Sequence, residues 1–214
     1  TRTLNRRSFI KEATAAGATL GLAPGLLAAA ESTGKIKVGL IGCGSVSGSY
    51  LPNLTSQPFI EVVSVCDIII ERARKRAERF KVPNVYPKID AMLAGAPFDL
   101  LVNTTSMPSH YPVNKKALEA KRHVWSEKPM ALQVSLCKEL IELARRNGVK
   151  FWVAPTCVTS PQFKFMAETM AGGKIGRVTA AHGIYGHGGP GWSAWFYEKG
   201  GGSLYDLGVY NVTT

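Results

Sequence analysis

Residues 35–48 have the sequence KIKVGLIGCGSVSG. A short apolar run that closes in a glycine, here Gly42, is typical of a buried strand in a parallel sheet. Gly42 and Gly44 then make a G-x-G turn in front of a helix predicted at about 46–56. Such a turn lets the backbone approach a pyrophosphate, and the free N–H groups at a helix N-terminus favour that anion. The sequence therefore predicts a phosphate-binding strand–turn–helix unit.

The context of the turn strengthens this interpretation. The motif alone is weak, because the usual third glycine position holds Ser47 and Gly48 comes one residue later. Asp67, however, closes a second predicted strand 23 residues after the second glycine. A carboxylate there can accept from ribose hydroxyls, which indicates a dinucleotide. The alternative is that Asp67 only caps the helix that follows.

The same acid bears on the choice of cofactor. The Asp67 carboxylate disfavours a 2′-phosphate, which favours NAD over NADP. Arg72 and Arg74 follow closely enough to leave NADP open.

Predicted strands and helices alternate from this unit to about residue 156. Alternation of this kind predicts an α/β fold, a Rossmann-type doubly wound parallel sheet. The strands are expected at 35–42, 60–67, 84–87, 99–105, 123–128 and 149–155, and the helices at 46–56, 71–80, 88–95, 113–120 and 131–147.

After residue 156 the pattern changes. A helix at 161–171 leads to a longer strand at 178–186, then to a loop rich in glycine and aromatic residues. One strand and one helix cannot cover each other's apolar faces. We therefore expect residues 35–156 to be a dinucleotide-binding domain. Residues 157–214 are expected to be the incomplete beginning of an α+β substrate and oligomerisation domain, so that the 214-residue chain is at best a cofactor binder without turnover.

Composition excludes several other classes of protein. An apolar fraction of 45% is ordinary for a globular chain and argues against disorder. The net charge of +11 is compatible with binding to nucleic acid or to an anionic cofactor. The basic residues of 71–80 lie among Glu71 and Glu78, however, which is typical of a solvated helix face, and no aromatic side chains are interleaved with them, so no nucleic-acid partner is expected. The four cysteines lack metal-ligand spacing, so no metal site is expected either.

The N-terminal residues 1–30 resemble an export signal. Arg6 and Arg7 stand before Ser8-Phe9-Ile10-Lys11, a modest apolar run follows, and the segment ends in three alanines at 28–30. This layout is that of a secretory signal, and the paired arginines resemble the twin-arginine type. We expect the protein to be carried by the twin-arginine export machinery to the periplasm, or otherwise exported, already folded. An ordinary first helix is disfavoured because glycines and a proline interrupt the segment.

A second group of motifs identifies the family. The fourth predicted strand leads into NTTSMPSH at 103–110, and the fifth into Glu127-Lys128-Pro129. Ligands of open α/β sheets bind at the carboxyl ends of the strands. With VCD at 65–67, ALEAKRHVWSEKP at 117–129, GGKIGRV at 172–178 and GGGSLYDLGVY at 200–210, the chain from about residue 35 onward resembles the Gfo/Idh/MocA oxidoreductases.

The resemblance implies roles for particular residues. It implies that Lys128 contacts the reacting hydroxyl, that Glu127 helps to hold the nicotinamide riboside, and that Asp206 and Tyr210 face the substrate. Positions four residues apart share one helix face, which fits that pair. The catalytic residues are thus expected to be Lys128, Tyr210 and Asp206, and the cofactor-binding residues Gly42, Gly44, Ser45, Val46, Asp67, Arg72, Thr104, Pro108, His110, Glu127 and Lys128.

Tyr210 departs from the pattern of many family members, which carry histidine at this position. In this respect the chain resembles the glucose–fructose oxidoreductase-like members. An ordinary tyrosine titrates near 10, so a tyrosine acid–base needs a nearby cation such as Lys128.

The resemblance implies a homo-oligomer that binds NAD or NADP and oxidises or reduces a sugar or polyol. Two alternatives stay open: an NAD-dependent glycoside hydrolase on the same fold, and a non-catalytic sugar-binding relative.

Overall fold

The computed structural model describes residues 34–155, 157–184, 186, 188–191, 194–199 and 201–213. The predicted export signal at 1–30 lies outside these residues. The strands are β1 (Ile36–Ile41), β2 (Ile60–Cys66), β3 (Asn84–Tyr86), β4 (Leu100–Asn103), β5 (His123–Ser126) and β6 (Phe151–Val153). The α-helices are α1 (Ser47–Ser56), α2 (Ile70–Phe80), α3 (Ile89–Ala94), α4 (Met107–Glu119), α5 (Val134–Arg146), α6 (Pro161–Ala171), α7 (Ser203–Asp206) and α8 (Gly208–Thr213), and 3₁₀ turns lie at Cys157–Thr159 and Ala194–Tyr197.

The six strands form one parallel sheet in the order β3-β2-β1-β4-β5-β6. Consecutive residues of a strand point to opposite faces, so a strand covered on both faces reads as a continuous apolar run. In β2, Val62 packs with α1 and α2 on one face, while Val63 packs with α3, α4 and α5 on the other. The predicted Rossmann-type doubly wound fold is therefore confirmed. The order reverses between β1 and β4, and a crevice opens there at the carboxyl ends of the strands.

Helix α4 begins at Met107, six residues before the predicted start. Pro112 lies inside the helix and removes one backbone hydrogen bond, because a proline has no N–H. The carbonyl left without its usual donor is that of Pro108 four residues earlier, and Pro108 is exposed, so water can satisfy it. The early start places His110 inside the helix.

The predicted strand at 178–186 is wrong for the residues that the structure describes there. Residues 178–184 are exposed and irregular, and Ile184 is 97% exposed. A strand needs a neighbour for its N–H and C=O groups, and no described strand pairs with this stretch. An apolar pattern predicted the strand but said nothing of a partner.

The described part of 157–213 exposes much apolar surface. Helix α6 buries none of its residues, and Phe165, Ile175 and Leu204 are each more than 60% exposed. The domain boundary at residue 157 stays a prediction. None of the described helices is both long and apolar enough to span a bilayer.

Candidate functional site

The glycine turn between β1 and α1 leaves backbone donors open. Gly42 has φ +93°, and a Cβ there would lie 2.5 Å from the backbone of Thr104, so the position requires glycine. A Cβ on Gly44 would meet no atom within 4 Å. Among the described residues none accepts from the N–H groups of Ser45 or Val46, at the start of α1. Unpaired N–H groups at a helix N-terminus suit an anion.

Two side chains brace this turn through the Gly44 carbonyl. Ser47, in the place of the third glycine, is fully buried and donates from its hydroxyl to that carbonyl at 2.6 Å. Arg76 on α2 donates to the same oxygen at 2.8 Å. A serine is tolerated here because its hydroxyl finds an acceptor within the turn.

Asp67 follows β2 and is buried against the turn. One carboxylate oxygen accepts from the Cys43 N–H at 2.7 Å, and the other from the Ile69 N–H at 2.8 Å. Asp67 therefore holds both the glycine turn and the backbone of the β2–α2 connection in place. Each carboxylate oxygen can accept a further hydrogen bond, so ribose hydroxyls are compatible with both existing contacts.

Four basic side chains line the cleft beside Asp67: Arg72, Lys75, Arg76 and Arg79. Their spacing of three and four residues places them on one face of α2. Arg74 instead pairs with Glu71 at 3.1 Å on the exposed side of the helix. The basic face, which we define as these four residues, makes this end of the cleft strongly positive.

The end of β4 is held by a buried polar chain. The Asn103 side chain donates to Asn114 on α4 at 2.8 Å, and Asn114 donates to Ser126 on β5 at 3.0 Å. Thr104 donates from its hydroxyl to the Gly42 carbonyl at 2.7 Å. These bonds fix the edge of the sheet where β1, β4 and β5 end side by side.

A charged cluster lies next to that edge. Lys128, after β5, donates to the Asp206 carbonyl at 2.7 Å and forms an ion pair with its carboxylate. The lysine ammonium also lies 5.1 Å from the ring centre of Tyr210. The two charged side chains are only 10% and 20% exposed, so water screens the pair weakly.

The spacing of Asp206 and Tyr210 predicted that they share one helix face. In the structure they lie in different helices. Asp206 ends α7 and Tyr210 lies in α8, with Leu207 between the helices. Both residues nevertheless reach Lys128. The contact with Tyr210 is made to the ring, an arrangement in which the cation is attracted to the ring's negative face.

Glu127 is fixed from the side of α1. Tyr50 donates to one carboxylate oxygen at 2.6 Å and itself accepts from Trp125 at 3.3 Å. The Lys128 N–H donates to the other oxygen at 3.1 Å. Burial and the Glu127 carboxylate raise the pKa of Tyr50 far above its usual value, so this phenol stays a neutral donor.

His110 is almost completely buried, at 1% exposed. Both ring nitrogens lie at hydrogen-bond distance from backbone carbonyls. Burial lowers the pKa of His110, and the two carbonyls and Glu127 oppose that effect.

One cleft of about 1260 Å³ joins these parts. Of the residues predicted from the sequence, the cleft is lined by Gly42, Gly44, Ser45, Val46, Asp67, Arg72, Thr104, His110, Glu127, Lys128, Asp206 and Tyr210. Pro108 is exposed in the first turn of α4 and is not among the lining residues.

Sequence reasoning missed Tyr50, Arg76 and Trp195. Arg76 could have been found from its helical spacing to Arg72. Trp195 lines the same cleft as Asp206 and Tyr210. It lies in the 3₁₀ turn at Ala194–Tyr197, whereas the sequence predicted only a loop rich in glycine and aromatic residues there. Tyr50 lies 77 residues from its partner Glu127, and nothing local in the sequence links them.

Comparison with protein families agrees with this geometry. Residues 36–155 match the family model GFO/IDH/MocA, described as an oxidoreductase family with an NAD-binding Rossmann fold. Residues 163–214 match the GFO/IDH/MocA C-terminal domain.

Individual relatives point the same way. An uncharacterised oxidoreductase of Rhizobium meliloti is 31% identical over 83% of this chain and 54% of its own length. The D-glucoside 3-dehydrogenase of Escherichia coli is 27% identical over 85% of this chain and 53% of its own length. The chain thus spans about half the length of the curated relatives it matches.

Among solved structures, GenD2 from gentamicin A biosynthesis, in complex with NAD, superposes with a TM-score of 0.72 at 25% identity. The match covers 86% of this chain and 53% of GenD2.

Proposed function

Since the chain belongs to the GFO/IDH/MocA oxidoreductase family, we propose that it serves hydride transfer between a nicotinamide dinucleotide and a carbon of a sugar or polyol. One observation carries the proposal. The cluster of Lys128, Asp206 and Tyr210 opens into the same cleft as the open N–H groups of the glycine turn. A cofactor and a reacting hydroxyl can therefore be held side by side. The relative that is named a glucoside dehydrogenase supports a sugar substrate.

The nucleotide half of the cleft fits a dinucleotide. The N–H groups of Ser45 and Val46 can donate to a pyrophosphate, and the open space at Gly44 allows its approach. Asp67 can accept from the ribose hydroxyls while it keeps its two backbone donors. A bound nicotinamide ring supplies the hydride donor or acceptor.

The other half fits proton transfer from a hydroxyl. The Lys128 ammonium has three donors, of which two contact Asp206 in this structure. A substrate hydroxyl can accept the third and so be oriented for reaction. When the hydroxyl is oxidised, its proton passes to the Asp206 carboxylate or to Tyr210 as a phenolate, which the nearby Lys128 ammonium stabilises, while the hydride of the same carbon leaves for the nicotinamide.

We propose that NAD binds more tightly than NADP and that NADP still binds. Asp67 places a buried negative charge where a 2′-phosphate has to lie. The basic face of α2 offsets part of that repulsion, because Arg72 and Arg76 line the same end of the cleft.

Export of the folded protein with its cofactor bound remains part of the proposal. Support comes from the paired Arg6 and Arg7 and the alanines at 28–30. Free nicotinamide nucleotides are expected to be scarce outside the cytoplasm, so an exported dehydrogenase benefits from a cofactor that it does not release. The double variant Arg6→Lys with Arg7→Lys should keep the protein in the cytoplasm. Unchanged export, or a periplasmic protein that releases no nucleotide when denatured, would contradict this part.

Hydride transfer is tested in the full-length protein by absorbance at 340 nm with a panel of sugars and polyols. Lys128→Met should abolish the reaction and weaken nucleotide binding far less than Gly44→Val does, because the lysine lies at the substrate end of the cleft. Lys164→Met, at an exposed lysine on α6, is the matched control and should change neither. Release of product from an aryl glycoside with no net reduced cofactor would instead favour the hydrolase. Sugar binding without either reaction would favour a non-catalytic relative.

A further inference from the structure

His110 bridges two loops at the carboxyl edge of the sheet. Its Nδ1 lies 2.7 Å from the Pro129 carbonyl oxygen, and its Nε2 lies 3.0 Å from the Thr105 carbonyl oxygen. Thr105 belongs to the loop after β4, and Pro129 to the loop after β5. The ring therefore ties together the two strand ends that border the reaction centre.

The two contacts make different demands on the ring. A carbonyl oxygen can only accept, and a neutral imidazole carries a single N–H. A neutral ring can therefore donate a hydrogen bond to only one of the two carbonyl oxygens. Its other nitrogen carries a lone pair, which then faces the second carbonyl oxygen. The imidazolium, with two N–H groups, holds both.

The segment that is held carries Lys128. Its start is fixed, because the Glu127 N–H donates to the Asn103 carbonyl at 2.8 Å. Beyond Lys128, Pro129 has no N–H to donate, and the His110 ring is the hydrogen-bond partner that the structure shows for its carbonyl. The backbone of Lys128 is thus held by Asn103 before it and by His110 after it.

We propose that His110 is a positioning residue for Lys128, and that protonation of its ring switches the loop from one carbonyl tether to two. The role given to Lys128 rests on the proposed function, whereas the tether itself does not. His110 has no exposed polar atom with which to reach a substrate, since both nitrogens already face carbonyls. It acts on the reaction only through the loop that it holds.

The charges around the ring set where it titrates. The Glu127 carboxylate favours the protonated ring, and the Lys128 ammonium disfavours it. Asp206 lies behind Lys128 and partly neutralises it. Burial works against the charge and lowers the pKa of His110 from its usual 6.5. The second tether therefore forms as the pH falls below that value.

The test is a pH titration of the intact chain by NMR, with ¹⁵N in the histidine rings and lysine ammonium groups. The Lys128 ammonium, which is hydrogen-bonded to Asp206, is assigned by its absence in Lys128→Gln. Its resonance should shift with the same midpoint as the His110 ring, below pH 6.5. A Lys128 resonance that does not shift as His110 titrates would overturn the proposal. A His110 ring that titrates like an exposed histidine would overturn it as well.

Variants provide a second arm. His110→Phe removes both donors at similar volume, and the pH-dependent shift of Lys128 should disappear. His110→Gln keeps an amide donor and should restore one tether without pH dependence. Tyr111→Phe is the matched control, because it removes a hydrogen bond from the same helix that leads to Glu139, away from the cleft, and it should keep the wild-type shift. If His110→Phe fails to fold, the wild-type titration still decides.

Nucleotide affinity, measured on the same samples, separates this proposal from the proposed function. A chain that binds no nucleotide but shows coupled titration of His110 and Lys128 refutes the function and keeps the tether. A chain that binds nucleotide but shows independent titration of His110 and Lys128 keeps the proposed function and refutes the tether.

Discussion

Gly42 and Gly44 stand two residues apart in one motif, and the structure predicts opposite consequences when each is substituted. At Gly42 the backbone has φ +93°, and a Cβ would lie 2.5 Å from the Thr104 backbone, where ordinary contacts begin near 3.4 Å. The Gly42→Ala change therefore has to push β1 away from the end of β4. Left-handed backbone costs an L-residue about 1–2 kcal/mol, and overpacking adds about 1–3 kcal/mol.

At Gly44 a Cβ would meet no atom within 4 Å, and φ is not in the left-handed region. Gly44→Ala should leave stability unchanged or raise it by about 0.4–1 kcal/mol, because alanine restricts the unfolded chain. The space that the methyl group enters is where a pyrophosphate has to approach. Nucleotide affinity should fall at least tenfold, or about 1.4 kcal/mol, and Gly44→Val should weaken it further.

The assays are thermal unfolding by circular dichroism and nucleotide titration by calorimetry. For a chain of this size 1 kcal/mol corresponds to about 2–4 °C. Gly42→Ala should thus lower the Tm by on the order of 10 °C, while Gly44→Ala leaves it unchanged or raises it slightly. Wild-type nucleotide affinity in Gly44→Val would contradict this assignment, as would an equal loss of stability in Gly42→Ala and Gly44→Ala.

Three further predictions follow from the same cleft and its surroundings. Asp67→Asn removes the buried charge but keeps an acceptor, so the ratio of NAD to NADP affinity should fall by about tenfold; an unchanged ratio in parallel titrations would exclude Asp67 as its determinant. Because burial lowers the pKa of His110, the unfolded chain takes up its proton first as the pH falls, and stability should decline below pH 6.5 with a slope approaching about 1.4 kcal/mol per pH unit. His110→Gln should lack that slope in chemical denaturation at pH 5.5–7, and a slope that persists would assign it to another group. Burial raises the pKa of Cys43 and Cys66 to about 12, so a thiol reagent at pH 8 should leave both unmodified in the native chain, and rapid labelling of either by mass spectrometry would contradict their burial.

The sheet could be predicted because its signal is local. Each parallel strand is buried on both faces, so each reads as an apolar run between turn residues, and the glycine turn and Asp67 mark the first and second strands. The stretch at 178–186 carried a similar pattern without forming a described strand. Pairing depends on a neighbour that the pattern does not specify, and Ile184 is almost fully exposed in the structure.

Some residues of the site could likewise be predicted from local sequence signals, and others could not. The glycine turn and Asp67 were found from residue chemistry and spacing. The contact between Lys128 and Asp206 joins residues 78 positions apart, and only the family resemblance placed them together. Tyr50 and Glu127 were not linked at all, since neither physical chemistry nor spacing connects two residues on different elements before the fold is known. His110 was expected to bind cofactor, and the structure shows its polar atoms turned to the backbone.

Titration of this chain with NAD and NADP by calorimetry tests whether the cleft is a dinucleotide site. We expect saturable binding of one nucleotide per chain, with NAD the tighter ligand. Binding should be lost in Gly44→Val, which retains its Tm, and only weakened in Lys128→Met. Absence of binding in the folded wild type, or binding that Gly44→Val leaves unchanged, would contradict the assignment of the cleft as a dinucleotide site.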